Sequence, residues 1–432
     1  MAPGRRGGSG GALDSDYTVP GPRPPSGTRP TPGGARFRAG RWDAALLGDL
    51  AERLDGAGRA ALAGLSDADL LSAWEAGLAT LLDPRSAPRR RLDPTVCELA
   101  RLTPPSLQAA LEAVLTGMTG APARRLLDRA AGLERRRRGL IVAVLPANVP
   151  ALAVQVLLPA MALRRPVLLK AASREPLLTA ALVRLLGRRH PALAAGLAAV
   201  TWRGGSRELE EPVFAAAESV VAFGDDATLR ALGDAGGDLL GHGSKMSVAA
   251  VSRDADLARA AEGVARDVAL LEQRGCLSIR SVYTDADASA IATELAAALE
   301  RRARHWPPAE PQIELLAEVQ QVRQEALLRG LVVPRLDVRA GTVVVEPDPR
   351  PRPGPGLRTV RIHPVDDIAG LPDLLAPHAE RLQGVALEGD AARSLAGPLS
   401  DLGISRVTRA GELQLTDATS ANGAVHLPAR LR

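Results

Sequence analysis

The chain has 432 residues, 46% of them hydrophobic and 24% charged, with a formal net charge of +5. That length supports two or three domains with cores of their own, in a globular chain and not a disordered or fibrous one. Aromatic residues make up only 2%, so the basic runs ERRRRG (134–139) and GRRH (187–190) lack the interleaved rings on which single-stranded nucleic acid stacks. They read as solvated faces, with no nucleic acid as partner.

Residues 1–40 are rich in Gly, Pro and Arg without apolar periodicity, and are expected to form a disordered tail. Helical patterns fill 42–132, as in DADLLSAWEAGLATLL (67–82) and SLQAALEAVLTGM (106–118). From 139 the texture changes to short apolar strands alternating with amphipathic helices. GLIVAVLP leads into a helix through MAL, and PVLLKA (166–171) into LLTAALVRLLG. Strands follow at VTW (200–202), ESVVAFG (218–224) and MSVAAVS (246–252). A second round places helices across 255–272 and 286–330, with strands near SIRSVYT, GTVVVEP, LRTVRIHPV and LQGVALEG. This alternation predicts an α/β fold with parallel sheets. The expected division is a tail (1–40), helices plus a first sheet domain (41–250), a second sheet domain (251–410) and a C-terminal segment (411–432).

Residues 140–163 carry no charge and are long enough to span a bilayer. They also hold Pro146, Pro150, Pro159, Asn148 and Gln155, so a buried strand, a turn and a buried helix are expected, with no membrane span. No signal peptide is evident, and the expected compartment is the reducing cytoplasm.

The two cysteines are far apart, and no Cys/His spacing resembles a metal site. Cys97 lies in an apolar helical stretch and reads as core. Cys276 sits in the glycine turn of LLEQRGCLSIRSVYT, where the residues alone leave both a core thiol and a nucleophile open. Of the 54 basic residues only Lys170 and Lys245 are lysines, and only Asn148 and Asn422 are asparagines. A composition that spares so few of each marks positions whose chemistry is hard to substitute; an ammonium is a compact charge that guanidinium does not reproduce.

The segments LPANVPALA (145–153), VLLKAASREP (167–176), VVAFGDDATLRAL (220–232), GHGSKMSVAAV (241–251) and EQRGCLSIRSVY (272–283) together resemble the acyl-CoA reductases of bacterial bioluminescence operons. That family lies within the aldehyde dehydrogenase superfamily. The resemblance runs from about 60 to 410. It implies an aldehyde dehydrogenase-like fold of two Rossmann-like parallel-sheet domains. It also implies NADPH-dependent reduction of a long-chain acyl-CoA to the fatty aldehyde, a homo-oligomer and an acyl-transferring partner enzyme. Cys276 falls on the superfamily's nucleophile, and a thiolate divides thioester reduction into two easier steps. Asn148 falls on the oxyanion-hole amide, with the Cys276 backbone N–H as second donor. Lys170 falls on the lysine that bonds the adenosine ribose, and Gly224 on a residue facing the pyrophosphate. Three positions after Lys170, many NAD-using relatives have a glutamate for the ribose 2′-hydroxyl. Ser173 and Arg174 stand there instead, which favours a 2′-phosphate and hence NADPH.

Two departures go with the resemblance. Gly241 occupies the position of the water-activating glutamate of hydrolytic relatives. No match for the nicotinamide-ribose glutamate is evident in RPGPGLRTV (352–360). His242 and Lys245 receive no role, and the C-terminal segment lacks the Trp- and His-rich stretch expected of such reductases. The rival expectations are a short-chain acylating aldehyde or semialdehyde dehydrogenase and a degenerate relative that only binds nucleotide.

Overall fold

The computed structural model describes residues 13–133, 138–233 and 237–420. Asn422 and most of the ERRRRG run therefore lie outside the described residues. The first strands are β1 (Leu13–Asp14), β2 (Ser26–Pro30) and β3 (Arg36–Gly40), in the order β1-β3-β2. They correct the expectation of a tail through residue 40. In β3 the buried Phe37 and Ala39 alternate with exposed Arg36 and Arg38, a period-two pattern that the surrounding Gly and Pro obscure. Tyr17 extends this small sheet to its neighbour, exchanging backbone hydrogen bonds of 2.7 and 2.8 Å with Ala199.

The helices that follow bury one broad apolar face. Helix Asp67–Leu82 starts where Ser66 accepts the N–H of Asp69 (3.0 Å), with Asp67 and Asp69 in its positive first turn. It buries Leu70, Trp74, Leu78 and Leu81, and Trp74 donates its indole N–H to the Met118 carbonyl at 2.7 Å.

The first parallel sheet comprises β4 (Ile141–Val144), β5 (Val167–Ala171), β6 (Leu197–Thr201), β7 (Ser219–Phe223) and β8 (Asp238–His242). Its order is β6-β5-β4-β7-β8. Strands β4 to β7 are buried on both faces, which explains their unbroken apolar runs. β8 went unread because DLLGH is a partly exposed edge strand without alternation. The uncharged stretch 140–163 resolves into β4, a proline-bracketed turn and the buried helix Val154–Ala162. No helix among the described residues is long and apolar enough to cross a membrane.

The second sheet runs β11-β12-β10-β9-β13-β14, parallel throughout. Its strands are β9 (Met246–Val251), β10 (Ile279–Thr284), β11 (Thr342–Val345), β12 (Thr359–Pro364), β13 (Leu382–Glu388) and β14 (Arg406–Thr408). Since β9 pairs with β10 and β13, the boundary expected at 250 moves ahead of Met246. The helical span expected over 286–330 is two helices, Ala288–His305 and Ile313–Leu328. Pro307 and Pro308 follow the C-cap of the first, each lacking the N–H that would continue it. Beyond β14 the chain buries Leu413 in the second core, and Ala418 then donates to the Gly117 carbonyl at 2.9 Å.

Candidate active site

Cys276 lies between helix Leu257–Ala269 and β10, in a turn whose backbone is costly to form. Leu271, Glu272 and Gln273 have φ of 58°, 52° and 56°. Left-handed backbone costs roughly 1–2 kcal/mol per non-glycine residue, so neighbouring contacts must enforce it. Gln273 is fully buried. It donates to the carbonyls of Ile279 and Thr359 and accepts the N–H of Thr359, all at 2.8 Å. Glu272 is buried against Arg358 at 2.7 Å, and Arg274 reaches back to the Ala100 carbonyl at 2.7 Å. Gly275 is needed for close approach, because a Cβ there would stand 2.9 Å from Gln414 Oε1 and 3.2 Å from Leu271. Gln414 has little freedom to yield, since its Nε2 donates to the Asp267 and Leu270 carbonyls and to Ser278.

The thiol itself is half-buried. Burial pushes its pKa up from the ordinary cysteine value. The N–H groups of Cys276 and Leu277 and the charge of Lys245 act in the opposite direction. The other thiol, Cys97, is pushed up to about 11 by burial and by Asp93.

Asn148 follows β4 and is 126 positions from Arg274, yet its Nδ2 donates to the Arg274 carbonyl at 2.7 Å, two residues ahead of Cys276. The amide orientation follows from that acceptor, since a flipped amide would set two oxygens against each other. One Nδ2 hydrogen remains for a further acceptor.

The other candidates end neighbouring strands of the first sheet, on the same carboxyl edge. This is where α/β sheets take ligands, near the point at which strand order reverses. Here that point lies at β4, with β5 and β6 on one side and β7 and β8 on the other. Lys170 closes β5. Its Nζ sits 5.8 Å from the Trp202 ring centroid and makes no hydrogen bond among the described residues. Burial lowers its pKa and Glu210 opposes that shift. Ser173 and Arg174 are exposed beside it, with Ser173 Oγ donating to the Trp202 carbonyl at 2.9 Å. The nearest acid in sequence, Glu175, is turned inward. It accepts the N–H groups of Leu177 and Leu178 at 2.9 and 3.0 Å, and burial raises its pKa to about 7. Gly224 follows β7, but the space a Cβ would take belongs to Thr228, whose Cγ2 would be 2.9 Å away. Asp225 and Asp226 follow directly, so the turn also presents two carboxylates. Lys170 and Ser173 thus meet at Trp202, with Arg174 next in sequence, Asn148 is bonded to the segment that carries Cys276, and Gly224 follows a different strand on the shared edge.

A family model described as acyl-CoA reductase (LuxC) matches residues 96–431. The chain belongs to this family. The long-chain acyl-protein thioester reductase of Aliivibrio fischeri is 26% identical over 288 residues, 65% of this chain and 60% of that protein. Long-chain acyl-protein thioester reductase 2 of Photobacterium leiognathi is 27% identical over 243 residues, 54% of this chain and 50% of that one. The match therefore spans between half and two-thirds of these relatives. Among solved structures, an oxidoreductase from Marinobacter aquaeolei has a TM-score of 0.71 at 15% identity, covering 91% of this chain and 89% of that one. A mutant aldehyde dehydrogenase C from Pseudomonas syringae, complexed with NAD+ and octanal, has a TM-score of 0.69 at 16% identity, covering 92% and 89%. The fold is aldehyde dehydrogenase-like.

In this acyl-CoA reductase family chain, the residue that sequence reasoning passed over is Lys245. It is anchored by donating to the Glu380 carbonyl at 3.0 Å, and its charge stabilises the thiolate. Its rarity was the signal, as one of two lysines. Lys245→Gln removes one of the influences that lower the thiol pKa, leaving the two N–H groups in place, so the thiol should ionise at higher pH still. Alkylation of Cys276 by iodoacetamide followed against pH should shift alkaline, with a several-fold slower reaction at neutral pH. An unmoved profile would leave Lys245 as a tether only.

Proposed function

We propose that this protein reduces a long-chain acyl thioester to the aldehyde through an acyl-enzyme on Cys276. The observation that carries the reading is the Asn148 amide held against the nucleophile's own turn by a 2.7 Å hydrogen bond. Thiolate attack on a thioester places negative charge on the carbonyl oxygen. A donor already fixed in position meets that charge without reorganisation. The remaining Nδ2 hydrogen and the Cys276 N–H supply the two donors. The new C–S bond gives the oxyanion, whose collapse breaks the carrier's C–S bond; the carrier leaves as its thiolate and takes a proton from water.

The sheet edge suits the adenosine end of a nicotinamide dinucleotide, in keeping with the neighbour complexed with NAD+ and with an NADP-dependent glyceraldehyde-3-phosphate dehydrogenase of TM-score 0.67 at 15% identity. Lys170 would hold the ribose. Ser173 and Arg174 would meet a 2′-phosphate, while Glu175 is occupied in capping its helix and Glu210 in accepting from Trp202 Nε1 and the Gly205 N–H, which favours NADPH. When bound, the cofactor supplies a hydride to the acyl carbon. Lys245 and the local N–H groups then stabilise Cys276 as a leaving thiolate, and the aldehyde departs.

At the position of the hydrolytic base stands Gly241, exposed on β8. No carboxylate hydrogen-bonds to Cys276 or Asn148 among the described residues. Fast hydrolysis of a thioester needs a group placed to take a proton from water, so the acyl-enzyme should persist. Decanoyl-CoA with NADPH should give decanal, faster than with NADH, and almost no decanoic acid without the cofactor. Rapid acid release would make the protein a hydrolase-type relative instead.

A further inference from the structure

Beside the Cys276 turn, a cavity of about 240 Å³ opens between the thiol segment, the end of helix Ala87–Ala100 and the loop that leads into helix Ile313–Leu328. Three arginines line it: Arg101, Arg274 and Arg280. None of them has an ion pair among the described residues. Arg274 uses Nη1 and Nε on the carbonyls of Ala100 and Leu271, while its Nη2 is buried without a hydrogen-bond partner. Arg280 spends its Nη groups on the carbonyls of Pro353 and Gln273, at 2.6 and 3.0 Å. Burial drives both towards the neutral form; on Arg274 the charge of Glu272 opposes that shift, and the charge of Arg101, a smaller influence, adds to it. The wall also holds two acids, but each has a cation of its own. Glu272 is bound to Arg358 at 2.7 Å, and Glu310 pairs at the surface with Arg339 at 3.2 Å.

A buried cation is normally neutralised, because desolvation costs several kcal/mol per ion. Arg274 and Arg280 are partly buried and Arg101 is exposed at the rim, and the unused buried Nη2 of Arg274 is a donor that an anion in the cavity would complete. Guanidinium suits phosphate in particular, through paired N–H donors. The cavity's position beside the nucleophile ties that anion to the acyl donor. We propose that this cavity binds the phosphate of a pantetheine-type thioester carrier and so presents the thioester to Cys276. The inference rests on the acyl-enzyme reading above. The phosphate could belong to free coenzyme A or to a carrier-bound 4′-phosphopantetheine, and the chemistry recognised is the same.

The test compares three octanoyl donors by the rate at which Cys276 is acylated: octanoyl-CoA, octanoyl-4′-phosphopantetheine and the phosphate-free octanoyl N-acetylcysteamine thioester. At low ionic strength the wild type should use at least one phosphate-bearing donor with a second-order rate constant roughly tenfold or more above the phosphate-free one. Arg101→Gln should reduce that ratio towards one, Arg101→Glu should reduce it further, and Arg101→Lys should restore part of it. A preference confined to octanoyl-CoA assigns the cavity to the nucleotide's phosphates; one shared by phosphopantetheine assigns it to the pantetheine phosphate. A wild-type ratio near one overturns the proposal, as does a ratio that the Arg101 variants leave unmoved. Equal loss with all three donors in the variants also overturns it, because it marks a structural role. Absence of acylation by every donor would instead refute the acyl-enzyme itself, and this proposal with it.

Discussion

Asn148→Ala is expected to slow acylation of Cys276 by about 10²–10³, the usual cost of one oxyanion donor, while nucleotide affinity stays near wild type. The separation follows from the fold. Asn148 bonds the thiol segment after β4, whereas Lys170 and Ser173 contact Trp202 beyond β5 and β6, with Arg174 exposed next to Ser173 in sequence. The substitution also frees the Arg274 carbonyl, so a second variant is informative. Asn148→Asp keeps the shape and puts an acceptor where a donor belongs, and it should acylate at least as slowly as Asn148→Ala. Single-turnover acylation and a nucleotide titration read the two quantities apart. An unchanged acylation rate in both variants would leave the amide as a brace for the turn.

The largest stability effect is expected at Arg358. Its guanidinium meets Glu272 through Nε at 3.2 Å and Nη2 at 2.7 Å, and Nη2 also donates to the Trp306 carbonyl at 2.8 Å. Burial already pushes the Glu272 pKa up, and Arg358 is the main influence holding it down. Arg358→Met leaves a carboxylate buried without its cation, a change that costs about 3–5 kcal/mol. It should lower the urea midpoint accordingly. Adding Glu272→Gln should recover much of the loss, because no charge then remains unpaired. The recovered protein should still acylate slowly if the ion pair holds the left-handed turn of 271–273 in place. A single substitution that leaves the urea midpoint unchanged would contradict the buried pairing.

The sheet strands were legible wherever burial on both faces left an apolar run bounded by turn residues, as in PVLLKA or ESVVAFG. Where one face meets solvent over only a few residues, as in β3 and β8, the pattern was too short to stand out from Gly and Arg. The candidate site divided in the same way. Cys276 and Asn148 announced themselves by rarity and local motif, and the structure brings their segments together. Lys245 was equally rare, but its effect on the thiol depends on β9 and β10 lying side by side, which no local pattern records. Glu272 and Arg358 are 86 positions apart, and each alone reads as an ordinary surface charge. The three arginines of the cavity come from separate elements for the same reason. At Gly224 the resemblance implies a pyrophosphate contact, and what the structure adds is that a side chain there would meet Thr228.

The measurement that bears most directly on the acyl-enzyme is the intact mass of the protein after decanoyl-CoA is added without a nicotinamide cofactor. Burial raises the pKa of both thiols; at Cys276 two local N–H groups and Lys245 oppose the rise, whereas Cys97 is pushed up to about 11. Wild type should gain the mass of one decanoyl group, Cys97→Ala should gain the same, and Cys276→Ala should gain none. Acylation that survives in Cys276→Ala, or that disappears only in Cys97→Ala, would contradict the account.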